Sequence, residues 1–213
     1  MISVITSTYN RSKSLLKAIK SVQKQTFEDW ELIIVDDFSQ DDTEQVVKSI
    51  KDDRIKYIRL GKNVGNDTCP KNKGILASKG EYIAFLDDDN TWRPDHLQAL
   101  FNIIEREDVD GVYGDRYLHS TDGTSGIGIH AEFDPMLIMA KNYIDTSDIL
   151  LKRDVLFDLG GFDESFKKYI DWNLWVRLVK ANKRLKRVPL ILTDYYLRED
   201  SKSHRDEDTT NNI

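Results

Sequence analysis

Short apolar runs alternate with amphipathic stretches through the first half of the chain. Residues 2–6 read as a buried strand, and 12–25 as a helix with Leu15, Leu16, Ile19 and Val22 on one face. The continuous apolar run 32–35 ends in Asp36-Asp37. A helix carrying Val46, Val47 and Ile50 follows, then a strand over 54–60. A helical stretch over 72–78 leads to a second apolar run, 82–86, which again ends in acids. Pro94 suits a first helical turn, and Leu97, Leu100, Phe101 and Ile104 follow at helical spacing before a strand near 109–113. Strands apolar on both faces, alternating with helices, predict an α/β fold whose mainly parallel sheet is flanked by helices.

The second half is less regular. Gly114, Gly123, Gly126 and Gly128 punctuate a segment expected to hold hairpin strands and a mobile loop. A short helix is expected over 134–140 and a strand over 149–152, with a turn at Gly160-Gly161. Trp172, Trp175, Val176 and Val179 fall at i, i+3, i+4 and i+7, the core stripe of an amphipathic helix. Residues 198–212 carry no aliphatic or aromatic side chain, so a loose polar tail is expected over 198–213. With no repeat and no linker, the pattern gives one domain over 1–197, with halves at 1–113 and 114–197.

Composition narrows the classes. The chain has 213 residues, of which 39% are hydrophobic and 32% charged, enough for a packed core and against general disorder. A net charge of −6 argues against a broad grip on nucleic acid. The one cysteine, Cys69, excludes an internal disulfide framework or a Cys-rich zinc module and reads as a small apolar filler. No apolar run approaches the roughly 20 residues of a membrane span. Met1 leads directly into a core strand, so no leader is expected and a cytoplasmic location follows.

The chemistry concentrates in two acid clusters. In an open α/β sheet, ligands bind outside the carboxyl ends of the strands. Asp36-Asp37 and Asp87-Asp88-Asp89 both stand at that edge. Three consecutive carboxylates resist full ionisation without a cation or several hydrogen-bond donors. Mg²⁺ or Mn²⁺, held by one or two carboxylates and substrate phosphates, is a natural counterpart. The plainer alternative is that the acids cap helices or face water. Ser7-Thr8-Tyr9-Asn10 stands where a dinucleotide fingerprint would place glycines, and no P-loop occurs. An EF-hand starting at Asp87 fails, with Trp92 and Gln98 at its glycine and glutamate positions. The segment 85–91 also fits the strand-Asp-x-Asp-x-Thr pattern of haloacid-dehalogenase-like phosphatases. That motif, however, belongs on a first strand with its second Asp pair downstream, whereas here the other pair lies upstream.

Taken in order, the motifs resemble the family-2 glycosyltransferases of the GT-A fold. The resemblance rests on VITSTYN at 4–10, QTFEDWEL at 25–32, VDDFS at 35–39, Asn72-Lys73-Gly74, Gly80-Glu81-Tyr82, FLDDD at 85–89, GGFDE at 160–164 and DWNLWVRL at 171–178. It implies a mainly parallel nucleotide-binding sheet with a smaller mixed acceptor-side half. It also implies inverting transfer of a sugar from a nucleotide diphosphate, a UDP-sugar first, to an acceptor hydroxyl. By matching positions, Ser7, Tyr9 and Asp37 hold the nucleotide base, while Asp36 serves equally as a structural acceptor for backbone N–H groups. Asp88 contacts the ribose or the metal, Asp89 ligates Mn²⁺ or Mg²⁺, and Asp87 acts through hydrogen bonds behind them. Asp171 is the matching catalytic base, although an Asp before a helix is also a good N-cap. The family often has Glu-Asp here, and Ile170 replaces the Glu.

Other residues carry more open readings. Lys71, Lys73 and Arg93 either assist charge on the leaving group or are solvated helix-face charges, the plainer reading. Asp115 lines the acceptor side or is a turn acid. His130 and His204 approach the sugar or metal, or are solvated. Trp172 and Trp175 serve the core, with Trp172 also placed to stack on a sugar. The acceptor is a glycan, a lipid-linked glycan or a protein, with peripheral membrane association open. The alternative function is a non-catalytic nucleotide-binding module of the same fold.

Overall fold

The computed structural model describes residues 1–128 and 131–197. Its parallel half follows the apolar runs: β1 (Ile2–Thr8), β2 (Trp30–Asp36), β3 (Ile55–Arg59) and β4 (Tyr82–Phe85). Every residue of β1, β2 and β4 is buried, as expected for strands covered on both faces. Connecting them are α1 (Ser12–Gln23), α2 (Thr43–Ser49) and α3 (Thr68–Ala77). The strand order β3-β2-β1-β4 is all parallel, and it aligns Thr8 with Asp36 at one edge while β4 ends beside them.

Beyond β4 the sheet changes sense. β5 is Thr91–Trp92, α4 His96–Ile104, β6 Gly111–His119, β7 Ser125–Ile127, α5 Pro135–Ala140, β8 Ile149–Lys152, α6 Arg153–Asp158, α7 Ile170–Lys180 and β9 Leu185–Tyr196. β8 pairs antiparallel with both β4 and β6, and β9 lies parallel to β6, completing the order β3-β2-β1-β4-β8-β6-β9-β5. The glycine-rich segment forms the β6–β7 hairpin. One core cluster packs α1 and α4 on one face of the sheet, and the other packs α5, α6 and α7 on the opposite face.

Several sequence expectations shift. Pro94 lies two residues before α4 rather than in its first turn. The buried stripe of α7 is Leu174, Trp175 and Leu178, with Trp172, Val176 and Val179 at its flanks, a rotation of the expected face. β9 was not expected; its apolar pattern is broken by the exposed Pro189, which sits in an irregularity where the register against β6 slips. The expected 198–213 tail lies outside the described residues.

Two of the family-like motifs lock to one another. The Asn72 amide donates to Phe162 O (2.8 Å) and Glu164 Oε1 (3.0 Å), and its oxygen accepts from Phe162 N (2.8 Å). Gly161 has φ +72°, and a Cβ there would come within 2.5 Å of Asn72 Oδ1. A left-handed backbone and this close approach together require glycine. Asn72 thereby ties α3, which carries Lys71, to the turn leading into α7, which carries Asp171.

Candidate active site

At the carboxyl edge, the loops after β1 and β2 are knit by short polar side chains. Asp36, fully buried, accepts from Ser39 N (2.9 Å), Ser39 Oγ and the Tyr57 hydroxyl, while Arg59 Nε lies 3.7 Å away. Ser39 Oγ in turn accepts from Asn10 N, and Asn10 Oδ1 accepts from Gln40 N. Asp36 thus serves as a structural acceptor. Asp37 accepts from Val64 N (2.8 Å) and Gly65 N (3.1 Å), which fold the loop after β3 over it. Burial pushes its carboxyl up, against those two bonds. Ser7 is buried next to this edge, and Tyr9 is exposed at its mouth.

The triple acid is distributed rather than clustered. Asp88 is buried; its Oδ2 accepts from Thr8 Oγ1 (2.7 Å) and its Oδ1 from Arg11 Nη1 (2.9 Å). The same Nη1 reaches Asp89 Oδ2 at 3.0 Å. Burial pushes Asp88 up to about 6, with Arg11 and Thr8 opposing that shift. Asp87 turns the other way, its Oδ1 2.9 Å from Lys71 Nζ. Lys71 is itself buried, with Thr146 Oγ1 at 3.4 Å and the Phe162 ring beneath it. Of its two sequence readings, the plainer one, a solvated helix-face charge, does not hold: Lys71 is buried in the first turn of α3 with Asp87 as its partner. Lys73 is exposed, as that reading had it. Arg93 is only partly exposed and pairs with Asp194 (3.4 Å).

Asp171 is the second residue of α7; Tyr169, with a left-handed φ of 54°, holds the N-cap place, so Asp171 lies inside the helix and is not its cap. Its Oδ1 accepts from Trp172 N (2.8 Å) and its Oδ2 from Asn142 Nδ2 (2.8 Å). Burial raises its carboxyl; Asn142, the Trp172 N–H and Lys71 counter that, and Asp87 adds to it. Asp145, in the connection between α5 and β8, is raised by burial as well, with Arg116 opposing and Asp87, Asp148 and Asp171 adding. Thus Lys71, Asp87, Asp145 and Asp171 share one electrostatic environment behind the acidic edge. An acid kept in such a place is suited to accepting a proton.

Sequence reasoning did not find Thr8, Arg11, Asn142, Asp145 or the buried Arg116–Asp148 pair (2.7 Å). Arg11 had one legible signal, its place just after β1 at the ligand edge. Asp115, left open between acceptor side and turn acid, lies in β6 and is held on both oxygens by Arg187 (2.8 and 2.6 Å). Trp175 is core, and the Trp172 indole N–H donates to Ile138 O (2.6 Å). Cys69 is partly buried and its thiol is raised by burial. His130 and His204 lie outside the described residues.

Among the described residues, no three His, Cys, Asp or Glu side chains gather around one ion position. The hard oxygen donors present still fit Mg²⁺ or Mn²⁺ bound by one or two carboxylates and completed by phosphate oxygens. Asp89, partly exposed and paired with Arg11 at 3.0 Å, is one carboxylate that would serve in such a set. No helix among the described residues is long and apolar enough to cross a membrane.

Residues 3–168 match the model of glycosyl transferase family 2. An uncharacterized glycosyltransferase of Nostoc is 32% identical over 189 residues, covering 82% of this chain and 56% of that one. A Campylobacter jejuni protein, GalNAc(5)-diNAcBac-PP-undecaprenol beta-1,3-glucosyltransferase, is 46% identical over 194 residues, covering 84% of this chain and 60% of that one. The chain thus spans little more than half the length of these relatives. A crystal structure of S. aureus TarS in complex with UDP-GlcNAc superposes with a TM-score of 0.80 at 22% identity, over 96% of this chain and 60% of the larger one. The fold is that of TarS, and the phosphatase alternative falls with it. Ordered motifs, sheet topology and a family match over most of its length place this chain in glycosyl transferase family 2.

Proposed function

We propose that this chain is the catalytic domain of an inverting, metal-dependent glycosyltransferase that uses a nucleotide-diphosphate sugar, with UDP as its nucleotide. The observation that carries the reading is the buried Asp171 of α7, held by Asn142 (2.8 Å) and within the electrostatic reach of the Lys71–Asp87 pair (2.9 Å) at the donor edge. Ser7, Tyr9 and Asp37 bind the base, and Asp88 contacts the ribose. Asp89 holds Mn²⁺ or Mg²⁺, which when bound offsets charge on the diphosphate. Asp171 accepts the proton of the acceptor hydroxyl. That oxygen then bonds to the anomeric carbon, while the bond from this carbon to the diphosphate breaks and its electrons leave with the nucleoside diphosphate.

The TarS complex with UDP-GlcNAc and the E. coli relative WfgD, described as using UDP-Glc, support uracil. Relatives described as acting on undecaprenol-diphosphate glycans support a lipid-linked acceptor. The exposed Met136, Leu137 and Met139 of α5 support peripheral membrane association at the cytoplasmic face. We divide the domain into a sugar-nucleotide half, 1–113, and an acceptor half, 114–197. Asp171→Ala tests the assignment: transfer falls by about 10²-fold or more with nucleotide affinity near wild type. Equal loss of nucleotide binding would make Asp171 a structural residue. Asp89→Ala removes the Mn²⁺ dependence of nucleotide binding, and unchanged dependence would place the ion elsewhere.

A further inference from the structure

Asn142 sits in the connection between α5 and β8, and the two tryptophans of α7 bracket it. Trp172 Nε1 donates to Ile138 O (2.6 Å) on one side, and Trp175 Nε1 to Ile144 O (2.9 Å) on the other. Its neighbour Tyr143 is also fixed, since Arg116 Nη2 donates to its carbonyl (3.0 Å). The connection is therefore pinned to the helix that carries Asp171. A carboxylate can only accept, so the amide edge facing Asp171 Oδ2 is the nitrogen, at 2.8 Å. That orientation leaves Asn142 Oδ1 buried without a hydrogen-bond partner among the described residues. Buried amide oxygens are nearly always satisfied. Nothing among the described residues supplies that donor, which leaves the place to a water or to a bound acceptor.

We propose that Asn142 is the positioning residue of the transfer site: its amide N–H fixes the Asp171 carboxylate, and its amide oxygen receives an O–H or N–H of the acceptor beside the attacking oxygen. This rests on Asp171 being the base. Asn142 itself gains and loses no proton; the acceptor proton passes to Asp171. The charged groups facing Asp171 are Lys71 from α3, Asp87 after β4 and Asp145 from the same connection as Asn142. Lys71 favours its ionised form, and the two acids oppose it. Asn142 adds a neutral hydrogen bond that favours the ionised form without adding charge.

The test combines a titration with turnover. Carbon-13 carboxyl NMR follows Asp171, identified as the resonance absent from Asp171→Ala, in the wild type and in Asn142→Ala; Asn142→Ser is read in the same way should the alanine variant not fold. Loss of the amide donor raises the Asp171 titration by about one unit. Hydrolysis of UDP-glucose and UDP-GlcNAc, with water as acceptor, falls about tenfold in kcat at neutral pH. Its acidic limb moves up with the titration, and KM for the nucleotide sugar stays within about twofold. An unmoved Asp171 titration overturns the proposal. A moved titration with unchanged kcat and pH limb overturns the positioning role as well. Turnover surviving in Asp171→Ala overturns instead the reading of Asp171 as base, a result separate from either of those.

Discussion

Replacing Lys71 with Met keeps most of the side-chain volume but removes the ammonium and its three N–H groups. In the native chain Nζ lies 2.9 Å from Asp87 Oδ1 and 3.4 Å from Thr146 Oγ1, and Lys71 is 4% exposed. Removing one partner of a buried pair costs about 3–5 kcal/mol, chiefly because the other charge is stranded. Asp87 keeps 30% of its side-chain surface in contact with solvent, so water recovers part of that. Relief of the lysine's own desolvation, the largest influence on its titration, recovers more. Lys71→Met should therefore cost about 2 kcal/mol. Neutralising the stranded acid should return at least about 1 kcal/mol of it in the double variant with Asp87→Asn. The pairing raises the folded-state pKa of Lys71. A raised lysine contributes fully below its unfolded value of about 10.4 and loses that contribution only as pH climbs through the folded value. At pH 7.5 the full effect is present. Urea unfolding followed by tryptophan fluorescence reads it, with an unchanged m-value confirming that only stability moved. A loss below about 0.5 kcal/mol, or additive losses in the double variant, would refute the claim that Lys71 and Asp87 form a buried coupled pair.

Two further perturbations follow. Gly160 and Gly161 have nearly equal φ of +73° and +72°, but only a Cβ on Gly161 meets a neighbour, Asn72 Oδ1. Gly160→Ala should thus show the left-handed strain alone, about 1–2 kcal/mol, and Gly161→Ala roughly another 1–2 from the broken latch. In melting temperature the difference is about 2–8 °C, and equal effects would mean that the latch carries no stability. Burial raises Asp88 from 3.8 to about 6, so the folded state binds its proton more tightly than the unfolded chain does. Its contribution is most favourable below about pH 4 and declines as pH rises to about 6, by up to roughly 3 kcal/mol. Asp88→Asn should flatten that decline in a series of unfolding curves from pH 4 to 7, and an unchanged slope would assign it to other groups.

The parts of this molecule legible from sequence are those where one physical requirement repeats along the chain. β1, β2 and β4 are covered on both faces, so they stand out as apolar runs, and the acids at the ends of β2 and β4 mark the ligand edge. β9 is illegible for the opposite reason: Pro189 interrupts it at a register slip, and its buried positions follow no regular period. Lys71 looks like any helix lysine, because its burial depends on Asp87, 16 positions later in the chain. Arg11 and Asn142 are single polar residues whose partners, Asp88 and Asp171, are 77 and 29 positions away. Strand order and the docking of α7 bring these pairs together, and no local pattern encodes either. The rotated face of α7 is a milder case: Leu174, Trp175 and Leu178 form an equally helical stripe one residue from the predicted one.

The central claim is that the carboxyl edge of β1, β2 and β4 binds a nucleoside diphosphate with a divalent ion. Thermal unfolding with UDP, GDP, dTDP and NAD, each with and without Mn²⁺, tests it most directly. At about 100 times its dissociation constant, UDP should stabilise the fold by about 2.7 kcal/mol. In a domain of this size that is roughly 5–10 °C, with most of the shift lost when Mn²⁺ is left out. No shift with any nucleoside diphosphate, or one equalled by NAD and indifferent to the metal, would contradict the account.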